Sequence, residues 1–235
     1  MGGRRLDALL AVLAMTAGAT DAFTFLGLGG VFSSVMTANM VLLALSAGKQ
    51  NGPLALHAGA ALTGYIVGAL AASRVTGRAG QPADRLATRV FAVLIAEGVV
   101  LAGVAVGWEV AGAHPSGAAQ VALLAGAAAA MGSQSAAVSA LGIPGISTTY
   151  MTGMLTGILA DLATPARPAV GSRLRLLALL IVGAVASGIT DAQAPRLAPL
   201  IPLAPLACAI GIAASARFWT ADAQRDSPDS GNQPG

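Results

Sequence analysis

Residues 26–37 read LGLGGVFSSVMT, and residues 141–152 read LGIPGISTTYMT. The two stretches align without a gap at a constant offset of 115 residues, and five of the twelve positions are identical. The hydroxyl side chains are matched as well, with Ser33, Ser34 and Thr37 aligned to Thr148, Thr149 and Thr152. A glycine-rich turn used twice would explain the glycines, but a plain turn has no need of matched hydroxyls. The pair therefore predicts an internal repeat.

Composition indicates that the chain lies in lipid. Of its 235 residues, 55% are hydrophobic and 10% are charged, whereas a soluble domain carries roughly 25% charged residues. The 30 glycines suit helix packing in a membrane, where small residues let two backbones approach closely. Glycine-rich helix faces would permit a homo-oligomer without requiring one. The sequence has no run of Lys and Arg residues of the kind that would indicate a nucleic-acid partner.

Six apolar segments are long enough to cross a hydrocarbon layer of about 30 Å. They predict transmembrane helices at about 6–28, 53–73, 90–108, 118–141, 174–189 and 197–219. Two shorter apolar stretches, at about 35–47 and 150–163, are closer to half-helices or re-entrant segments. The predicted fold class is an all-α, polytopic helical membrane protein with a single transmembrane domain at 1–220. The polar residues 221–235 predict a disordered tail.

The distribution of Lys and Arg predicts which segments cross. If the two short stretches do not cross, eleven of the 13 basic residues lie on one face, and only Lys49 and Arg196 lie on the other. If both cross, the division is eight to five. The positive-inside rule favours the first topology. It predicts a multi-pass protein of the cell membrane with both termini in the cytoplasm.

Each copy then contributes three crossings, at about 6–108 and about 118–219. An odd number of crossings turns the second copy upside down, so the sequence predicts a 3+3 inverted repeat. Inverted repeats with discontinuous helices near the midplane recur in secondary transporters. Non-helical backbone at that depth is tolerated only inside protein or beside a wet cavity. The two motifs would line such a cavity.

The motif residues also resemble a known family. The first span with its motif, GATDAFTFLGLGGVF, is followed by Met36, Thr37 and Asn39, and the second motif reads GIPGISTTYMTG. These stretches resemble the YoaK family of bacterial six-span membrane proteins, and the resemblance covers nearly the whole chain. Ala38 replaces the usual glycine before the asparagine, and Met154 stands where the first copy has Asn39. The resemblance implies a membrane protein and names no substrate.

Polar side chains in or beside the spans are the candidates for substrate or coupling-ion contacts, since ionisable groups in a membrane are costly. Asp21 lies within the first span and has no acidic counterpart, because Ala136 aligns with it. Its carboxylate could instead be capped by Thr20, Thr24 or a motif N–H. Glu97 lies mid-span, and could instead be a protonated acid bonded to a neighbouring helix. The full candidate set is Asp21, Ser33, Ser34, Thr37, Asn39, Glu97, Thr148, Thr149 and Thr152.

Catalysis is not expected. A serine nucleophile needs a base within reach, and the two histidines, His57 and His114, are both predicted near the outer face. With one cysteine and two separated histidines, the sequence predicts no metal site. It also contains no phosphate-binding loop, so no cofactor is expected. The sequence therefore predicts a small-solute secondary transporter of unknown substrate. A channel for a small solute or ion, and a non-transporting assembly factor or sensor, stay open as alternatives.

Overall fold

The computed structural model describes residues 3–77, 82–142, 151–162 and 170–225. Within these ranges the chain forms α-helices and one 3₁₀ helix. The α-helices are α1 Gly3–Gly27, α2 Met36–Gly48, α3 Gly52–Thr76, α4 Ala83–Val110, α5 Gly117–Ala140, α6 Met151–Leu162, α7 Val170–Gln193 and α8 Leu203–Arg225. The 3₁₀ helix covers Pro195–Leu200. The all-α prediction is confirmed.

Six helices of the described residues are long and apolar enough to cross a membrane, as the sequence predicted. Two of them extend further than the hydropathy pattern indicated. α4 begins at Ala83 and α7 at Val170, each one to two turns before its apolar run. The backbone hydrogen bonds of a helix continue through turns that carry arginine. Hydropathy marks only the apolar part of such a helix.

The sixth span begins with an irregular segment whose cause is proline. Pro195, Pro199, Pro202 and Pro205 lack the N–H that a continuous α-helix needs. The chain therefore forms a 3₁₀ helix over Pro195–Leu200, and α8 begins only at Leu203. The carbonyl oxygen of Pro195 accepts a 3.1 Å hydrogen bond from Trp108 Nε1 in α4. This bond fixes the start of the sixth span against the end of the third.

The helices α2 and α6 are too short to cross. They have 13 and 12 residues, and at 1.5 Å per residue each is about 20 Å long, against a hydrocarbon thickness of about 30 Å. α2 packs on α3, and α6 packs on α7. Each short helix therefore lies beside the long helix that follows it.

Two hydrogen bonds give the relative direction of α1 and α5. Gln120 Nε2 donates to the Gly27 carbonyl at 3.4 Å, and Gln134 Nε2 donates to the Leu13 carbonyl at 3.1 Å. Residue numbers rise along α5 as they fall along α1, so these two helices run antiparallel. They are the helices that precede the two motifs.

The two ends of the helical bundle differ in charge. One end, called here the motif end, contains the C-terminal turn of α1 at Gly27, the start of α5 at Gln120 and the start of α3 at His57, whose ring contacts Gln120. The opposite end is called the arginine end. There Arg89 lies 3.4 Å from the carbonyl of Thr76, and Arg173 forms a 2.7 Å ion pair with Asp161.

This arrangement decides whether the short segments cross. The end of α1 and the start of α3 meet at the motif end, so the chain between them makes no net crossing. At the arginine end, Asp7 of α1 and Arg175 of α7 line one small depression. α7 therefore starts at the arginine end. Because α5 runs antiparallel to α1, α5 finishes at this same end. The segment containing α6 makes no net crossing either.

The closest helix contacts occur in two matched pairs, α1 with α7 and α3 with α5. A Cβ on Gly18 would collide with the Leu180 carbonyl, and one on Gly183 with the Met15 carbonyl. In the other pair, a Cβ on Gly132 or Gly68 would collide with the carbonyl of Tyr65 or Ala129, respectively. Glycine is needed here because backbone meets backbone.

These contacts also refine the predicted alignment of the copies. Gly68 and Gly183 are 115 residues apart, like the motifs, whereas the matched glycines Gly18 and Gly132 are 114 apart. The register therefore differs by one residue between α1 and α5. Ser135 follows Gly132 by three residues as Asp21 follows Gly18, so the glycine contacts pair Asp21 with Ser135, whereas the motif offset pairs it with Ala136.

Candidate functional site

The carboxylate of Asp21 holds the first motif. Ser33 Oγ donates to Asp21 Oδ1 at 2.8 Å, the backbone N–H of Ser34 donates to the same oxygen at 2.7 Å, and Ser34 Oγ donates to Oδ2 at 2.5 Å. Asp21, Ser33 and Ser34 are all buried. Thr24 does not cap the carboxylate, because its hydroxyl donates to the backbone carbonyl of Asp21 instead. Of the capping groups considered from the sequence, the motif N–H is the one observed.

Asn39 holds the same motif from the other side. Its Nδ2 donates to the Phe32 carbonyl at 2.6 Å, and its Oδ1 accepts from the Phe32 N–H at 3.1 Å. An amide can satisfy both backbone groups of one residue, which a carboxylate cannot. Asn39 is fully buried. The described partners of Asn39 lie in the motif and not on a neighbouring helix. The alternative considered from the sequence, a hydrogen bond between helices, is therefore not observed.

The first motif folds back into the bundle. Asp21 lies six residues before the end of α1 at Gly27, which is about 9 Å along the helix axis. Because Ser33 and Ser34 bind the Asp21 carboxylate, the chain has returned by that distance before α2 begins at Met36. α2 then leads back to the start of α3 at the motif end. The chain therefore enters and leaves by the same end.

Glycine permits the turn into this fold-back. Gly29 has φ +100° and Gly30 has φ +72°, both in the left-handed region that favours glycine. A Cβ on Gly29 would also collide with the ring of His57. His57 Nδ1 lies 2.6 Å from the Pro53 carbonyl, and His57 Nε2 lies 3.1 Å from Gln120 Oε1. The ring thus packs on the turn and joins α3 to α5.

The sequence did not reveal this histidine–glutamine bridge, since it placed His57 only near the outer face. Its signal was present only in part. His57 and Gln120 each stand alone as polar residues near the start of an apolar span. They lie 63 residues apart, so only the tertiary structure brings them together.

An open cleft of 280 Å³ lies beside the bridge at the motif end. It is lined by the ends of α1, α4 and α7 and by the α4–α5 loop. Trp108 contributes its ring, and the polar side chains in the lining are His114 and Asp191. The Trp108 ring is packed edge-on against Phe23, with ring centroids 5.0 Å apart. The cleft is the larger of the two described cavities; the other, at the arginine end, has room for about a single water molecule.

Glu97 lies apart from the Asp21 cluster. It is on α4 and is 1% exposed, whereas Asp21 is on α1, a helix without close backbone contacts to α4 in the described part of the chain. The described hydrogen bonds to the Asp21 carboxylate come from Ser33 and Ser34. The two acids that the sequence grouped together therefore occupy separate places. Among the described residues, no three His, Cys, Asp or Glu side chains lie close enough together to hold a metal ion.

The remaining predicted site residues divide into two groups. Thr37 is exposed at the start of α2 and does not join the Asp21 cluster. Thr148 and Thr149 lie outside the described residues. Thr152 is in the first turn of α6, but its side chain is outside the described part of the chain. The first motif alone supplies the described site.

Comparison with known proteins identifies the family of this chain. A family model described as a protein of unknown function (DUF1275) matches residues 9–213. The chain belongs to this family. A UPF0700 transmembrane protein, YoaK of Bacillus subtilis (strain 168), is 32% identical over 158 residues, which are 67% of this chain and 67% of that protein. No solved structure matches the chain.

The family membership confirms the resemblance drawn from the two motifs. Together with the six apolar helices, it identifies a multi-pass α-helical membrane protein. The matched region begins in α1 and ends in α8. It therefore contains the Asp21 cluster, Glu97 and both glycine-packed helix pairs.

Proposed function

We propose that this protein is a small-solute secondary transporter built as an inverted repeat. The antiparallel course of α1 and α5, set by the Gln120–Gly27 and Gln134–Leu13 bonds, is the observation that carries the proposal. These are the corresponding helices of the two copies. Opposed copies around a central site are a recurring plan of secondary transporters.

The helix packing supports a division into two moving units. In what we call the α1 unit, α1 packs with α7 and α8; in the α3 unit, α3 and α4 pack with α5. Each unit takes helices from both copies. The α1–α5 and α4–α8 contacts join the units. If each helix is exchanged with its counterpart in the other copy, the α1 unit becomes the α3 unit. Rocking of one unit against the other would therefore open the central site to each side of the membrane in turn.

The fold-back supports this proposal because it connects both units. Ser33 and Ser34 bind Asp21 of the α1 unit, while α2 packs on α3 of the other unit. Discontinuous segments of this type are tolerated in a membrane where they are buried in protein or line a cavity. In this arrangement Asp21 and Asn39 position the motif, and we propose that peptide groups of the motif contact the solute.

For the orientation, we propose that the arginine end faces the cytoplasm of the cell membrane, with both termini on that side. The bundle end with Arg74, Arg85, Arg89 and Arg175 carries most of the basic residues, and the motif end carries Lys49 and Arg196. Positive charge is retained on the cytoplasmic side during insertion. The cleft beside Trp108 would then open to the exterior.

Purified protein in proteoliposomes tests the function with a panel of labelled amino acids, sugars, nucleosides, organic cations and carboxylates. We expect one class to enter in a saturable manner and to show counterflow. Ser34→Ala should lower that uptake several-fold, since the motif loses a bond to Asp21, whereas the exposed Thr37→Ala should not. Absence of uptake across the panel would contradict the proposal. Uptake without saturation or counterflow would identify a channel.

One observation favours a second candidate function. The side chains of Asp21 and Asn39 bond to the motif itself, and their described partners are Ser33, Ser34, Phe32 and Met36. This arrangement suits a non-transporting membrane factor in which the polar groups only hold the fold. Such a protein would fail the flux assay and would co-purify with a partner at fixed stoichiometry.

A further inference from the structure

Glu97 occupies the centre of a spanning helix. It is 14 residues into α4, which runs over Ala83–Val110 and has 28 residues. The side chain is 1% exposed, and Leu94 and Leu101 on the same helix face are also buried. A Cβ on the adjacent Gly98 would contact Ile210 and Leu206 of α8. Glu97 therefore lies in α4 at the level where this helix meets α8.

Neither carboxyl oxygen of Glu97 has a hydrogen-bond partner within the described residues. Among the described side chains, α5 and α8 supply no counter-charge beside Glu97. α5 has no ionisable side chain, and over its described side chains, residues 203–215, α8 carries only the exposed Cys208. A bare carboxylate in such surroundings would be very costly, whereas a protonated carboxyl group would cost much less.

Other ionisable groups on the elements packed against α4 lie elsewhere. His57 and Arg196 belong to the motif end, Arg74 belongs to the arginine end, and Tyr65 lies mid-way along α3. On α4 itself the ionisable residues are Asp84, Arg85 and Arg89 in its first turns and Glu109 in its last. None of these groups bonds to the Glu97 carboxyl.

Packing does not require an acid at this position. Leu94 and Leu101, about one turn before and one turn after Glu97 on the same face of α4, belong to the buried apolar core. The neighbouring positions of this face are therefore filled by purely apolar side chains. An unpartnered buried acid costs stability relative to such a residue. The carboxyl of Glu97 consequently needs an explanation other than packing.

We propose that Glu97 is a proton-binding site at the contact between the two units. In the described arrangement its O–H bond is intact. When α4 moves against α8 and water reaches the carboxyl, that bond breaks, the electron pair stays on the carboxylate oxygen and the proton passes to water. One part of this proposal rests on the proposed transporter function, namely that the proton bound by Glu97 is the coupling ion of transport.

Infrared spectroscopy of the purified protein in lipid vesicles tests the site without a known solute. We expect a carbonyl band of a protonated carboxylic acid that is lost reversibly as the pH is raised and that shifts in D₂O. Glu97→Gln should remove the band, while Asp21→Asn and the exposed Glu109→Gln should leave it. A band that stays unchanged over the whole pH range in which the protein remains folded would overturn the proposal, as would the absence of any Glu97-dependent band.

Isotopic labelling keeps the test valid if Glu97→Gln fails to fold. Glu97 and Glu109 are the two glutamates of the chain, so carboxyl-labelled glutamate shifts the bands of these residues alone. Glu109 is exposed, and Glu109→Gln removes its contribution. The outcomes also separate the two proposals. A band that titrates in a protein without solute flux keeps the proton site and rejects the transporter, and flux with a static band does the reverse.

Discussion

At the residue scale, Asp21 and Asn39 hold one loop by different chemistry. The carboxylate of Asp21 accepts three hydrogen bonds from Ser33 and Ser34, which suits a group with several acceptor positions. The amide of Asn39 both donates to Phe32 and accepts from it, which requires a side chain with both functions. The two residues are therefore not interchangeable, and each fixes a different part of the turn.

Ser34→Ala should lower the free energy of unfolding by about 2 kcal/mol, because a buried bond to a carboxylate is lost. Thr37→Ala, three residues away and exposed, should change it by less than about 0.5 kcal/mol. Reversible SDS-induced unfolding in lipid–detergent micelles measures both variants. Equal effects from the two would mean that the Asp21 cluster does not hold the motif.

At the element scale, glycine determines how closely the long helices pack. In the α3–α5 pair a methyl group at Gly68 would meet the Ala129 carbonyl, while one at Gly59 on the same helix would meet no atom within 4 Å. The first position lies against backbone that cannot move aside, and the second has free space. The same residue type thus has two different roles within one helix.

Gly68→Ala should destabilise the protein by about 2 kcal/mol, since α3 and α5 must separate to admit the methyl group. Gly59→Ala is the matched control, and it should be neutral or stabilising by up to about 1 kcal/mol, because alanine favours helix more than glycine does. The same unfolding assay compares them. If Gly59→Ala proved the more damaging variant, the α3–α5 contact would be wrong.

At the scale of the whole molecule, the short helices leave the number of crossings at six. The end of α1 and the start of α3 share the motif end, and α1 and α7 both begin at the arginine end. The polypeptide therefore changes direction beside each short helix without a further crossing. This places Lys49 and Glu109 at the motif end of the bundle and Arg85 at the arginine end.

Single cysteines on a Cys208→Ala background test that arrangement. Lys49→Cys and Glu109→Cys should react with a membrane-impermeant maleimide from the same side, and Arg85→Cys should react only from the opposite side. Intact cells and inverted vesicles provide the two directions of access. If Lys49→Cys and Arg85→Cys were labelled from the same side, the six-crossing topology would be contradicted. The proposed inverted repeat would then be contradicted as well.

The sequence by itself determined the membrane class, the six helices long and apolar enough to cross and the two short apolar helices, and it predicted the repeat. These features depend on local composition, segment length and a motif that can be compared with itself. It also placed Asp21, Ser33, Ser34 and Asn39 among the candidates. It could not assign their partners, because a hydrogen bond between residues 12 or 13 positions apart depends on how the turn folds back.

Only the tertiary structure decided which contacts join distant segments. Three such features depend on the rotation of each helix about its axis. They are the His57–Gln120 bridge, the one-residue shift between the glycine contacts of α1 and α5, and the burial of Glu97 without a described hydrogen-bond partner. A helix that is apolar on all faces has no sequence signal for that rotation. The rotation is set by which glycines meet which carbonyls once the helices pack.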